Sequence, residues 1–160
     1  MTAVFTPSFS VLDDVPFRAA LDLVRLTDWH ATIPDDVFRT ACDNSVCFGI
    51  AAADAPRDGW AHEVVAFARV VTDRATYAYL CDVVVHPGWR GRGYSRRLVE
   101  ATLAHAEIGS LRRYSLLTRH AAGLYRKYDF VGGDPGVTYL ERTRAQHGLR
   151  ADLPAGAEQR

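Results

Sequence analysis

The stretch Leu80-Cys81-Asp82-Val83-Val84-Val85-His86-Pro87, followed after Gly88-Trp89 by Arg90-Gly91-Arg92-Gly93-Tyr94-Ser95, carries an apolar β-like run into a glycine-rich loop and then an amphipathic helix-like run. A strand, a loop and a helix start in that order make a cradle for a phosphate group. The glycines let main-chain N–H groups approach a ligand closely, and the first helical turn presents unpaired N–H donors with a partial positive charge. An anion is the expected occupant. Arg92, Arg96 and Arg97 lie in or beside that first turn, where each cation opposes the macrodipole by a few tenths to about 1 kcal/mol. A bound anion would offset that cost. Arginine density carries less weight than the glycine spacing, because the chain holds eighteen Arg to one Lys throughout.

Working outward, the 160 residues are the size of one domain, and 48% hydrophobic content supplies one core. The formal net charge is zero, so no global field draws the chain to nucleic acid or to an anionic membrane. Cys42, Cys47 and Cys81 are odd in number, lack a Cys-x-x-Cys pair and sit in apolar company, which suits reduced, buried thiols in a cytosol. His62-Glu63 is not followed by a second His at helical spacing, and no His-x-His occurs, so no metal is expected. The absence of a long apolar span or a signal-like leader predicts a cytoplasmic location without a membrane partner.

The remaining pattern predicts a mixed α/β (α+β) single domain over residues 1–141, with a mostly antiparallel central sheet flanked by helices. Phe9 to Leu12 reads as a strand. Pro16 precedes a short helix with Phe17, Leu21 and Val24, and Ile33-Pro34-Asp35-Asp36 opens a second helix to about Cys42. Val46 to Ala52, Val64 to Val71 and Thr76 to His86 read as an antiparallel meander. Within the last of these, Tyr77 to Val85 is apolar on both faces except at Asp82, as in a strand at the middle of a sheet. A helix from about Tyr94 to Glu107 follows, then a strand at Tyr114 to Thr118, a short helix at Ala121 to Lys127 and short strands at Phe130-Val131 and Val137 to Glu141. Residues 142–160 are polar, with Pro154 and Gly156, and are expected to be a loosely ordered tail.

Three segments in this order resemble the GNAT superfamily of acyl-CoA-dependent N-acetyltransferases. Leu80 to Pro87 resembles its central strand and Arg90 to Ser95 its pyrophosphate loop. Ala122-Gly123-Leu124-Tyr125-Arg126-Lys127-Tyr128-Asp129-Phe130 resembles its Leu-Tyr-x-Lys-x-Gly-Phe signature. Ser95 stands where the loop usually ends in Gly or Ala, and Asp129 replaces the signature glycine, a position where Asp tolerates a left-handed backbone. A Rossmann fingerprint would need a glycine at position 96, which is Arg96, and a P-loop would need a Gly-Lys-Ser/Thr ending.

The resemblance implies direct transfer of an acetyl group from acetyl-CoA, used as co-substrate, to a primary amine of a small molecule or peptide. Main chain at Val83, Val84 and Val85 would pair with the pantetheine arm like an added strand, while Arg90, Gly91, Arg92, Gly93, Tyr94 and Ser95 would hold the pyrophosphate. A bulge in the strand would aim an N–H at the acetyl oxygen. Tyr125 occupies the family's general-acid position, with Tyr128 as a neighbour on the same wall. For the amine's proton, Asp82, His120 and a water relay stay open, and Asp82 could equally cap a loop or pair with an Arg. Trp29, Trp60, Tyr77 and Tyr79 could wall an acceptor pocket or fill core positions. Two other readings stand beside transfer: a non-catalytic acyl-CoA-binding regulatory module, and a homodimer formed through the sheet edge or the 142–160 tail.

Overall fold

The computed structural model describes residues 9–52, 64–133 and 136–140. Among these residues, five strands and four α-helices follow in the order β1 (Phe9–Leu12), α1 (Phe17–Val24), α2 (Asp35–Asp43), β2 (Val46–Ala52), β3 (Val64–Thr72), β4 (Tyr77–Val85), α3 (Tyr94–Ala104), β5 (Arg113–Ser115) and α4 (Ala122–Tyr125). The strands lie side by side in chain order. The first three pairings are antiparallel. β4 and β5 run parallel, with α3 in the crossover between them, as parallel neighbours require.

Both faces of the sheet are covered. α1 and α2 bury Ala20, Leu21, Val24 and Phe38 against Val64, Phe67 and Val84 on one face. On the other, Tyr94, Leu98 and Val99 of α3 pack with Phe48, Ile50, Val70 and Leu80. The spacing Tyr94, Leu98, Thr102 is one helical stripe, and all three are buried. Among the described residues no helix is long and apolar enough to cross a membrane.

Several sequence expectations shift. α3 stops at Ala104 rather than Glu107, because His105 turns extended at φ −66° and ψ 134° and its Nδ1 accepts from the Glu107 amide at 3.3 Å. β5 pairs with β4 only at Tyr77–Tyr79 against Arg113–Ser115, so it ends before the expected Thr118. β3, not β4, is the third of the five described strands; β4 has neighbours on both sides only along its first part. Phe130-Val131 and residues 137–140 form no strand, and Val131, Val137 and Leu140 stand exposed. Alternation makes a strand only where a partner ladder closes, and none does there. The 142–160 tail lies outside the described residues.

Candidate active site

One residue organises the site. Asp82 adopts φ +52° inside β4, a left-handed conformation that Asp accepts more readily than most side chains. Arg69 pairs with Cys81 and Phe67 with Val84, so the single residue Ala68 of β3 faces both Asp82 and Val83 of β4. That is a β-bulge, with the extra residue left out of the ladder and the strand bent. It also inverts the side-chain parity. Leu80 packs on the α3 side, whereas Val84, an even number of residues later, packs on the α1–α2 side.

The bend has a second consequence. β5 accompanies β4 only to Tyr79, so from Leu80 to Val85 that edge of β4 has no strand beside it among the described residues. An unpaired strand edge presents N–H and C=O groups to an extended ligand. At its far end, Arg90 Nε donates to the Val85 carbonyl at 3.3 Å, tying the glycine loop back to β4.

The loop itself is shaped by Gly91 and Gly93, at φ +77° and +82°, where side chains are strained. A Cβ at either would meet nothing within 4 Å, so the space in front of the loop is open. Gly93 is the N-cap of α3 and makes no side-chain cap hydrogen bond, a helix start of the kind at which anions bind. The Arg92 guanidinium lies 4.4 Å from the centre of the Trp89 ring, and Glu100 pairs with Arg97 at 3.0 Å and Arg96 at 3.6 Å. The Tyr94 ring is buried and lies 6.2 Å from the Trp89 ring, while Ser95 is half-buried.

Asp82 is clamped on the opposite face. Its Oδ1 bonds His30 Nε2 at 3.0 Å and its Oδ2 accepts from Arg69 Nε at 2.6 Å. Arg69 also donates to Ser45 Oγ at 3.1 Å. Burial pushes the Asp82 carboxyl up, but the His30 hydrogen bond and the Arg69 charge outweigh it and hold it below the usual carboxylate range. The carboxylate is therefore ionised and its proton affinity is low. His30 and Arg69 were not singled out in the sequence: His30 lies 52 positions from its partner, in the loop between α1 and α2.

Tyr125 ends α4 and is 7% exposed, its ring edge-on to Phe130 at 6.0 Å. Burial raises its phenol pKa, so the hydroxyl keeps its proton at neutral pH. Tyr128 instead donates to Glu100 at 3.0 Å. The turn after it closes through Asp129 at φ +62°, the left-handed conformation expected of that substitution. His120 is exposed on the loop before α4. Trp29, half exposed, neighbours His30, whereas Tyr77 bonds Ser115 about five residues, or roughly 16 Å, along β4 from Asp82. Trp60 lies outside the described residues.

The family profile described as an acetyltransferase (GNAT) domain matches residues 44–132, which spans the bulge, the glycine loop and Tyr125. An acetyltransferase-like protein of Gibberella zeae is 29% identical over 88% of this chain and 89% of its own length. The crystal structure of a GNAT-family protein of Xanthomonas campestris pv. campestris superposes with a TM-score of 0.73 at 40% identity, over 91% of this chain and 98% of that one. Glucosamine-6-phosphate N-acetyltransferase of Arabidopsis thaliana shares the fold at TM-score 0.61 and 15% identity, over 83% and 98% of the two chains. The chain belongs to the GNAT family of acetyltransferases.

Proposed function

We propose that the protein transfers an acetyl group from acetyl-CoA directly to a primary amine of a small molecule or peptide. The observation that carries this reading is the succession of three features along one stretch of chain: the bulge at Asp82–Val83, the edge of β4 that has no strand beside it among the described residues, and the glycine loop at the start of α3. Acetyl-CoA has matching parts, an acyl thioester, an amide-bearing arm and a pyrophosphate, and supplies an activated acetyl group.

In this reading the amides of Gly91 to Ser95 hold the pyrophosphate, and Val83, Val84 and Val85 pair with the arm as an added strand would. The N–H that the bulge withdraws from the ladder stabilises charge growing on the acetyl oxygen. Tyr125, protonated and buried, donates to the departing thiolate. Asp82 works as a positioning residue: its two bonds to His30 and Arg69 fix the strained backbone that aims the N–H, and its low proton affinity makes it a poor base.

The test is calorimetry with acetyl-CoA, followed by release of free CoA against polyamines, aminoglycosides, amino acids and lysine peptides. Binding at micromolar concentration with amine-dependent CoA release supports the proposal. Absence of binding at high micromolar concentration rejects it. Binding with no release against any amine favours the regulatory acyl-CoA-binding module.

A further inference from the structure

Cys42, Cys47 and Cys81 gather around Arg69 on the face of the sheet that α1 and α2 cover. Cys47 of β2, Arg69 of β3 and Cys81 of β4 are cross-strand neighbours, and Cys42 comes to them from the last turn of α2. The Cys47 thiol donates a weak hydrogen bond to the Cys42 carbonyl oxygen at 3.9 Å. Both line a cleft of about 550 Å³ whose wall also includes Arg39, Ser45 and His105. Cys81 is not part of that wall. All three are free thiols, and both cleft cysteines are only half-buried, so a small reagent in the cleft reaches them.

The geometry points to a redox-active pair: we propose that Cys42 attacks small disulfides entering the cleft and that Cys47 resolves the adduct, leaving a Cys42–Cys47 disulfide across the α2–β2 turn. In the first step the Cys42 thiolate bonds to one sulfur of a low-molecular-weight disulfide and expels the other as a thiolate, which takes up a proton. In the second, Cys47 loses its proton, bonds to Cys42 Sγ and expels the remaining thiol. Two protein thiols are oxidised by two electrons, and one small disulfide is reduced to two thiols.

The environment assigns the two roles. The neighbouring Cys47 thiol lowers the Cys42 pKa, partly opposed by burial and helped by Arg69. The proximity of Cys42, together with burial, raises that of Cys47. Cys81 is pushed up to about 12, by burial and then by the Asp82 charge. Thiolate character controls attack, so Cys42 is the nucleophile of the three. The bridge would tie the end of α2 to the start of β2 around Ser45, the acceptor for Arg69.

The experiment uses the full chain with glutathione disulfide, followed by alkylation, trypsin and mass spectrometry. Cleavage after arginine places Cys42 and Cys47 together on peptide 40–57 and Cys81 alone on peptide 75–90. The expected result is loss of two hydrogens from peptide 40–57 with peptide 75–90 alkylated as in untreated protein. Cys47→Ser should stop at one glutathione on Cys42, and Cys42→Ser should leave Cys47 unmodified or slowed on the order of tenfold or more. Failure of the bridged peptide to form in the unsubstituted protein overturns the proposal, as does reaction of Cys81 as fast as Cys42. So does Cys47 reacting at its usual rate in Cys42→Ser. The readout is thiol chemistry, so it stands or falls apart from acetyl transfer.

Discussion

Replacing Asp82 with Asn removes one charge from a buried cluster while keeping the side-chain shape. Asn tolerates φ near +52° as Asp does, so the backbone term is close to nil and the change reports on the clamp. Deleting one partner of a buried ion pair costs about 3–5 kcal/mol, because the other charge is stranded. Arg69 keeps its bond to Ser45 and 14% of its side chain is exposed, and the Asn oxygen still accepts one hydrogen bond. The expected loss is therefore about 2–3 kcal/mol, or roughly 5–10 °C in Tm for a chain of this size. The pH dependence supplies a second check. The folded pKa of Asp82 is depressed relative to an unfolded value of about 3.9. Its ionised form thus contributes stability that is present above about pH 4 and lost as pH falls through the folded value. Urea unfolding followed by circular dichroism at neutral pH, and again stepwise down to about pH 3, should show a gap between the two proteins that narrows on acidification. A gap below about 1 kcal/mol at neutral pH, or one that persists unchanged in acid, would refute the clamp. Asp82→Ala should lose about 1 kcal/mol more than Asp82→Asn, since Ala resists the left-handed backbone.

Gly93→Ala places a side chain at φ +82° with open space around it, so the strain of about 1 kcal/mol should reshape the loop. Acetyl-CoA affinity should fall on the order of tenfold by calorimetry; an unchanged Kd would detach the loop from the ligand. Tyr125→Phe keeps the contact with Phe130 but removes the proton donor. Transfer should drop about tenfold or more with acetyl-CoA binding within about twofold, and full activity would exclude Tyr125 as the acid. Leu98→Ala, at a fully buried position on α3, should cost about 2–5 kcal/mol in denaturant unfolding. A cost below about 1 kcal/mol would mean that α3 does not anchor that face of the core.

Much of the architecture was legible because it is written in local pattern. Val46–Ala52 is a strand with the bounds its apolar run suggested, and Pro34 with Asp35 and Asp36 marks the start of α2. Gly93 marks the start of α3 in the same way. The left-handed turn at Asp129 could be anticipated from the family signature, where Asp129 stands in place of a glycine. Legibility failed where the outcome depends on a distant partner. Val137 and Tyr139 alternate like strand residues, yet residues 137–140 find no ladder. The α3 boundary moved because the His105 backbone turned extended.

The sequence by itself determined the order of elements through α4, the glycine loop that opens α3 and the identity of the residues along β4, since these follow from periodicity, glycine placement and side-chain chemistry over a few neighbours. Only the tertiary structure decided what Asp82 does. Its charge is claimed by Arg69 thirteen residues away and His30 fifty-two away, and its backbone inverts the faces of the strand that carries it. Pairing across strands and loops brings those groups within hydrogen-bond reach, and a pKa or a bulge is set by such neighbours in space rather than along the chain.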